Sequence, residues 1–264
     1  MTSLAACRTA ACVAKPASQA VVRFLIVAAR RTGSNLLCTL LGSHPDVLCH
    51  HELFNPDGIF YALPLRENGF SLGTLAERAA DPLGFLGRVW DANLGKRCIG
   101  FKMTRGQHRR VLEALLADPT VRVIVLRRAN RVKAFASELR AEATSRWEIY
   151  DRAELDPERP RVHVAPAALD AYLAANEAFY TEVDRALAGS DGRVLRVTYE
   201  RLFRDDEQRR LLDFLELPSD GGALTAKSVK QNPCDLRDLI ENYDALAREL
   251  AGSVLASELA DRGM

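Results

Sequence analysis

The sequence predicts an α/β protein, a doubly wound parallel sheet flanked by helices in a single domain. Three observations carry this. Four short apolar segments have the length and content of strands: VVRFLIVA (21–28), RCIGFKM (97–103), VRVIVL (121–126) and RVLRVTY (193–199). Each is followed by an amphipathic stretch, at 34–43, 106–117, 130–143 and 205–216. Neither an internal repeat nor a low-complexity linker divides residues 21–264. Strands alternating with helices build parallel βαβ units, whose helices cover both faces of the sheet.

Taken in order, the first strand runs into a loop and then a helix opening at Ser34 and Asn35, residue types that cap helices. Further helices are predicted over 74–92, 166–188 and 235–259, covering the faces or forming a cap. Residues 53–70 and 144–165 follow neither period and mix Arg, Asp, Glu and Pro with aromatics. On such a sheet, irregular segments serve either as substrate walls or as solvated loops. Residues 1–20 are Ala-rich and lack acidic residues, with too few arginines for a transit peptide and no apolar core for a secretory signal. They read as a flexible tail.

Composition limits the function classes. The chain is 48% hydrophobic and 27% charged, and 36 Lys and Arg against 35 Asp and Glu leave a net charge of +1. That balance gives no global attraction to nucleic acid or an anionic membrane, so an anion site must be local. No apolar run is long enough to span a bilayer. The six cysteines show neither metal nor disulfide spacing and read as reduced thiols in a cytoplasmic protein.

A local anion site is visible after the first strand. Ligands of open α/β sheets bind beyond the carboxyl ends of the strands. There the chain reads A29-R30-R31-T32-G33-S34-N35. The helix start offers unpaired N–H groups, Gly33 allows close backbone approach, Thr32 and Ser34 add hydroxyls, and Arg30 or Arg31 adds charge. An ordinary turn and helix cap would use the same residue types. The string is not the Walker pattern G-x-x-x-x-G-K-[ST]. The third strand ends in Arg127 and Arg128 rather than the Asp of a magnesium-dependent nucleotide enzyme. A phosphate-rich ligand held without metal follows from the two cations. Beyond them Asn130 is placed to cap a helix on which Ser137, close to two turns later, shares the cap's face. Arg128 and Ser137 can then converge on one anion, unless Ser137 bonds its own helix backbone.

With these two loops the chain resembles the sulfotransferases that use 3′-phosphoadenosine-5′-phosphosulfate (PAPS). The first loop resembles the family's 5′-phosphosulfate loop in its bacterial R-T-G-S form. The second resembles the 3′-phosphate motif, in which an Arg closing a strand and a helical Ser clasp the phosphate. The usual separation is eight and here Arg128 to Ser137 is nine, leaving open whether Arg127 or Arg128 is the ligand. S-H-P-D-V-L-C-H-H-E-L-F-N-P (43–56), G-F-K (100–102), V-T-Y-E-R-L (197–202), K-Q-N-P (230–233) and E-N-Y-D (241–244) resemble the bacterial carbohydrate and trehalose branch. The resemblance covers roughly residues 21–246.

The resemblance implies a P-loop-like fold, PAPS as co-substrate, no metal, and a hydroxyl on a carbohydrate or small molecule as acceptor. It places Arg30, Arg31, Thr32, Gly33, Ser34 and Asn35 on the 5′-phosphosulfate, and Arg127 or Arg128 with Ser137 on the 3′-phosphate. It also implies Lys230 in a basic loop over the nucleotide and Lys102 as an active-site cation. Glu52 matches the carboxylate base of the carbohydrate-acting branches, with a pKa raised in a half-apolar pocket; His51 is its rival. Cys49, His50, His51 and Glu52 have no second ligand cluster that would make a zinc site. His108 reads as a capped surface histidine and Trp147 with Tyr150 as candidate acceptor walls. A kinase-like phosphotransferase and a nucleotide-binding domain without catalysis are the competing readings.

Overall fold

A computed structural model describes residues 20–155, 160–218, 224–229 and 231–263. The predicted tail, but for its last residue, and Lys230 lie outside the described residues. The chain begins with strand β1 (Val22–Ala28), helix α1 (Ser34–Leu41), strand β2 (Val47–Cys49) and helices α2 (Leu63–Arg66), α3 (Leu75–Ala80) and α4 (Pro82–Asp91). Then come β3 (Cys98–Thr104), α5 (Arg109–Ala117), β4 (Val121–Arg127), α6 (Arg131–Thr144) and α7 (Pro166–Ala186). Strand β5 (Val194–Thr198) and helices α8 (Asp205–Phe214), α9 (Tyr243–Glu249) and α10 (Val254–Ala260) complete it.

The strands form one parallel sheet in the order β2-β3-β1-β4-β5, as the alternating pattern predicts. Side chains alternate across it. Leu25, Val27, Ile99, Phe101, Val123 and Val125 enter the core under α4, α5 and α7. Phe24, Ile26, Ala28, Ile124 and Leu126 enter the opposite core under α1 and α8. A third cluster joins α6 and the start of α7 to α9 and α10. Among the described residues no helix is long and apolar enough to cross a membrane.

Three expectations need correction. The predicted helix 74–92 is two helices, because Pro82 starts a new one whose N-terminus is capped by Asp81, accepting from the Gly84 amide at 2.9 Å. The predicted helix 235–259 is a 3₁₀ turn at Leu236–Asp238 followed by α9 and α10. The fifth strand, β2, was not predicted; three residues at a sheet edge carry too little period to read.

All strand carboxyl ends lie along one edge of the sheet. β1 is central and β4 its direct neighbour, so the two arginine-bearing loops emerge side by side. Alternation decides which of their side chains point where.

Candidate active site

A cavity of about 660 Å³ opens at this edge, within the usual size of a small-ligand site. Its floor is the loop between β1 and α1. No side chain caps α1, and Gly33, Ser34 and Asn35 at its start line the cavity, leaving helix N–H groups for an anion. Gly33 has φ 90°, and a Cβ there would lie 2.2 Å from the Tyr199 ring. Its lack of a side chain therefore admits Tyr199 as well as any ligand. Thr32 takes another role than the one expected: its hydroxyl donates to the Ala29 carbonyl at 2.8 Å, it is buried, and it is absent from the cavity wall. The tight turn consumes that hydroxyl.

The next loop resolves the pair of arginines. Arg127 continues the parity of Val123 and Val125, so it faces α7, stacking 4.2 Å over Tyr180 and bonding Asp184 at 2.8 Å. Of the two alternatives left open, Arg127 is the one turned away from the cavity. Arg128 falls on the opposite side and lines the cavity. Its guanidinium lies 4.5 Å over the Tyr199 ring and donates to the Arg31 carbonyl at 3.0 Å. Its buried Nε has no hydrogen-bond partner among the described residues. Burial lowers its pKa, against smaller opposing effects of Tyr199 and Glu200.

Ser137 also lines the cavity, and the hydroxyl is not spent on its own helix. It accepts from Arg31 Nε at 2.9 Å and from Asn232 Nδ2 at 2.6 Å. Arg31, at φ 58°, crosses from the first loop to reach it, and also donates to the Trp147 carbonyl and, at 3.0 Å, to Gln231 Oε1. Burial and the neighbouring Arg128 push Arg31 down to about 10, so it stays charged at neutral pH. Arg30 is more exposed, 5.6 Å over the Trp147 ring and 3.8 Å from Glu138. The amides at the start of α6 are not open to ligand, because Glu258 accepts from Arg131 at 2.6 Å and from Val132 at 3.4 Å and Asn130 Oδ1 from Lys133 at 2.8 Å. Glu200 takes the preceding amides of Ala129 and Asn130 at 3.1 and 3.3 Å.

At the other side of the first loop stands Lys102. On β3 it has the parity that faces α1, is buried, and lies 2.9 Å from Glu52 Oε1. Its ammonium also donates to Asn35 Oδ1 and, at 3.4 Å, to Ser34 Oγ. Asn55 Nδ2 donates to the second oxygen of Glu52. Burial pushes the Glu52 carboxyl up, but Lys102, Asn55 and Arg30 together outweigh it and hold the pKa below 4.5. The expected upward shift is thus reversed, because the apolar pocket also contains a cation in contact.

His51 lines the cavity beside them, buried, and burial with Lys102 and Arg66 holds it neutral, well below 6.5. His50, fully buried, accepts from the Ala62 amide at 3.1 Å and is structural. Among the described residues no three His, Cys, Asp or Glu side chains gather as metal ligands. His108 caps α5, accepting from the Val111 amide at 3.4 Å.

Both irregular segments supply walls: Asn55, Asp57 and Phe60 from the first, Arg146, Trp147 and Glu148 from the second. Sequence reading missed Asn55, which fixes Glu52, and Gln231 and Asn232, which fix Arg31 and Ser137. Tyr199, read there only as part of the V-T-Y-E-R-L string, supports Arg128 with its ring. The loop strings N-P at 55–56 and Q-N-P at 231–233 were the available signals.

No family model matches the chain. It is 30% identical over 209 residues to Nodulation protein H of Rhizobium meliloti, covering 74% of this chain and 78% of that protein. It is 26% identical over 244 residues to Nodulation protein H of Rhizobium tropici, covering 88% and 91%. Among solved structures it is similar to a sulfotransferase from Alicyclobacillus acidocaldarius, with 22% identity, TM-score 0.48 and coverage of 91% and 95%. By its sequence relationship to Nodulation protein H over about three quarters of both proteins, the chain belongs to the sulfotransferase family.

Proposed function

We propose that the enzyme transfers a sulfuryl group from PAPS to a hydroxyl of a carbohydrate or small-molecule acceptor. The observation that carries this is the arrangement around one cavity. The open start of α1 and the pair Arg128 and Ser137 offer two anion sites from adjacent strands, and Lys102 with Glu52 stands beside the first. A nucleotide with phosphate groups at both ends of its ribose would bring one to each of these sites.

In this reading the N–H groups of α1 and Arg30 hold the 5′-phosphosulfate, and Arg128 and Ser137 hold the 3′-phosphate. Arg31 orients Ser137 and ties residues 145–149 and 231–232 over the nucleotide. Lys102 neutralises charge on the phosphate oxygen as its bond to sulfur breaks. Glu52 takes the proton from the acceptor hydroxyl while that oxygen forms the new bond to sulfur. The products are a sulfate ester and 3′-phosphoadenosine 5′-phosphate (PAP). The low pKa keeps Glu52 ionised and ready to accept a proton; moving Lys102 toward the leaving oxygen would strengthen it as a base. A cytoplasmic setting suits the buried thiols of Cys38, Cys49 and Cys98.

Thermal-shift measurements with PAP, with ATP, and with ATP plus Mg²⁺ test the reading. Stabilisation by PAP without metal is expected. Stabilisation by ATP with Mg²⁺ and none by PAP would replace it with phosphoryl transfer.

A further inference from the structure

The neighbour of the proposed base has a feature that the transfer reaction itself leaves unused. Around His51 Nδ1 stand three oxygens: Asn35 Oδ1 at 3.3 Å, Tyr150 Oη at 3.3 Å and Glu148 Oε2 at 3.5 Å. Asn35 Oδ1 is an acceptor only, and it already receives the Lys102 ammonium. The Tyr150 hydroxyl gives its hydrogen to Glu148, so toward His51 its oxygen can only accept. Glu148 is a carboxylate paired with Arg66 at 3.2 Å. Every group facing Nδ1 wants a hydrogen, and a neutral imidazole carries one on a single nitrogen. The hydrogen therefore belongs on Nδ1, and the lone pair on Nε2. No residue described bonds Nε2, and His51 lines the cavity.

We infer that Glu148 is a positioning residue: with Asn35 and Tyr150 it fixes His51 as the Nδ1–H tautomer, so that Nε2 accepts a hydrogen bond from a second hydroxyl or N–H donor of the acceptor. This rests on the sulfotransferase reading for the identity of that ligand, while the tautomer stands on geometry alone. It deepens the reading by naming a class. Glu52 serves the hydroxyl that is sulfated, and the adjoining residue offers a further acceptor atom. The site thus suits polyols such as sugar rings better than simple alcohols. A site built to hydrogen-bond a substrate group discriminates against analogues that lack it, since its own polar atom is then left unpaired. Phe60 and Trp147 in the same wall offer flat apolar surfaces to the remainder of a ring.

The test is ¹⁵N NMR of the full chain with labelled histidine, the His51 signals being assigned by loss in His51→Asn. Wild type should show a protonated Nδ1 and an unprotonated Nε2. Glu148→Gln should introduce the Nε2–H form. It should also raise KM for methyl hexosides roughly tenfold, a loss of the size expected for one hydrogen bond, and by clearly more than it raises KM for benzyl alcohol. Glu148→Asp, which keeps the charge, should restore part of both. A protonated Nε2 in wild type overturns the inference. So does a Glu148→Gln protein that binds PAP with the wild-type tautomer and wild-type KM for both acceptor types. Failure of wild type to bind PAP, with the tautomer as expected, would instead remove the sulfotransferase reading and leave the tautomer standing.

Discussion

Lys102 Nζ lies 2.9 Å from Glu52 Oε1, and the two side chains come from β3 and the segment after β2, neighbouring strands of one sheet. The pair gives the cavity its proposed acid–base chemistry and sets the pKa of the carboxylate.

Because Lys102 outweighs burial, Glu52 in the folded protein titrates below its ordinary 4.5. The stabilisation from the pair is complete above 4.5 and is lost as pH falls through the lower folded value. In Lys102→Met, burial acts with less opposition and the carboxyl should titrate at a higher pH than in wild type. Carbon-13 NMR of labelled glutamate, read against a Glu52→Gln spectrum, measures this. An unchanged titration would show that Lys102 does not control the group.

Glu52→Gln keeps the shape of the side chain and removes the base. We expect kcat to fall by about 10²–10⁴-fold, the usual contribution of a general base, with PAP affinity retained. Full activity in Glu52→Gln would transfer the role to His51, which His51→Asn then tests.

The two arginines at the end of β4 should behave differently. Arg128→Ala removes a buried cation facing the cavity and should weaken PAP binding by roughly 10–100-fold, as for the loss of a charged hydrogen bond. Arg127→Ala breaks contacts with Asp184 and Tyr180 and should leave PAP affinity unchanged. Isothermal titration decides; equal losses would contradict the opposed directions of the two side chains.

Gly33→Ala places a Cβ against the Tyr199 ring at a left-handed position. Strain of about 1–2 kcal/mol from the backbone alone should lower Tm by roughly 2–8 °C in a chain of this size, with the clash adding to it. Gly33→Ala combined with Tyr199→Leu should recover the clash but not the backbone part. Calorimetry showing no loss for the single variant would refute both roles.

Arg31 holds Ser137, the Trp147 carbonyl and Gln231. Arg31→Ala should raise amide exchange in residues 145–149 and 231–232 while β1 and β4 stay protected. Unchanged exchange there would mean that these segments are held by other contacts.

The sequence by itself determined the fold class, because a strand-helix period repeated four times leaves a parallel sheet as the consistent arrangement. It also determined the chemistry of the two loops, since the residues that make an anion site there are contiguous. Helix breaks were less legible: Asp81–Pro82 marks one plainly in hindsight, yet apolar spacing continued across it. Whether Arg127 or Arg128 enters the cavity was decided only by tertiary structure. Residues 123–126 are apolar on both faces, so the strand's parity is visible only once α7 covers one face and Tyr199 the other. The pKa of Glu52 was decided in the same way. Local sequence showed a carboxylate among apolar neighbours, but its cation comes from another strand fifty residues on, and only the packed sheet brings the two charges into contact.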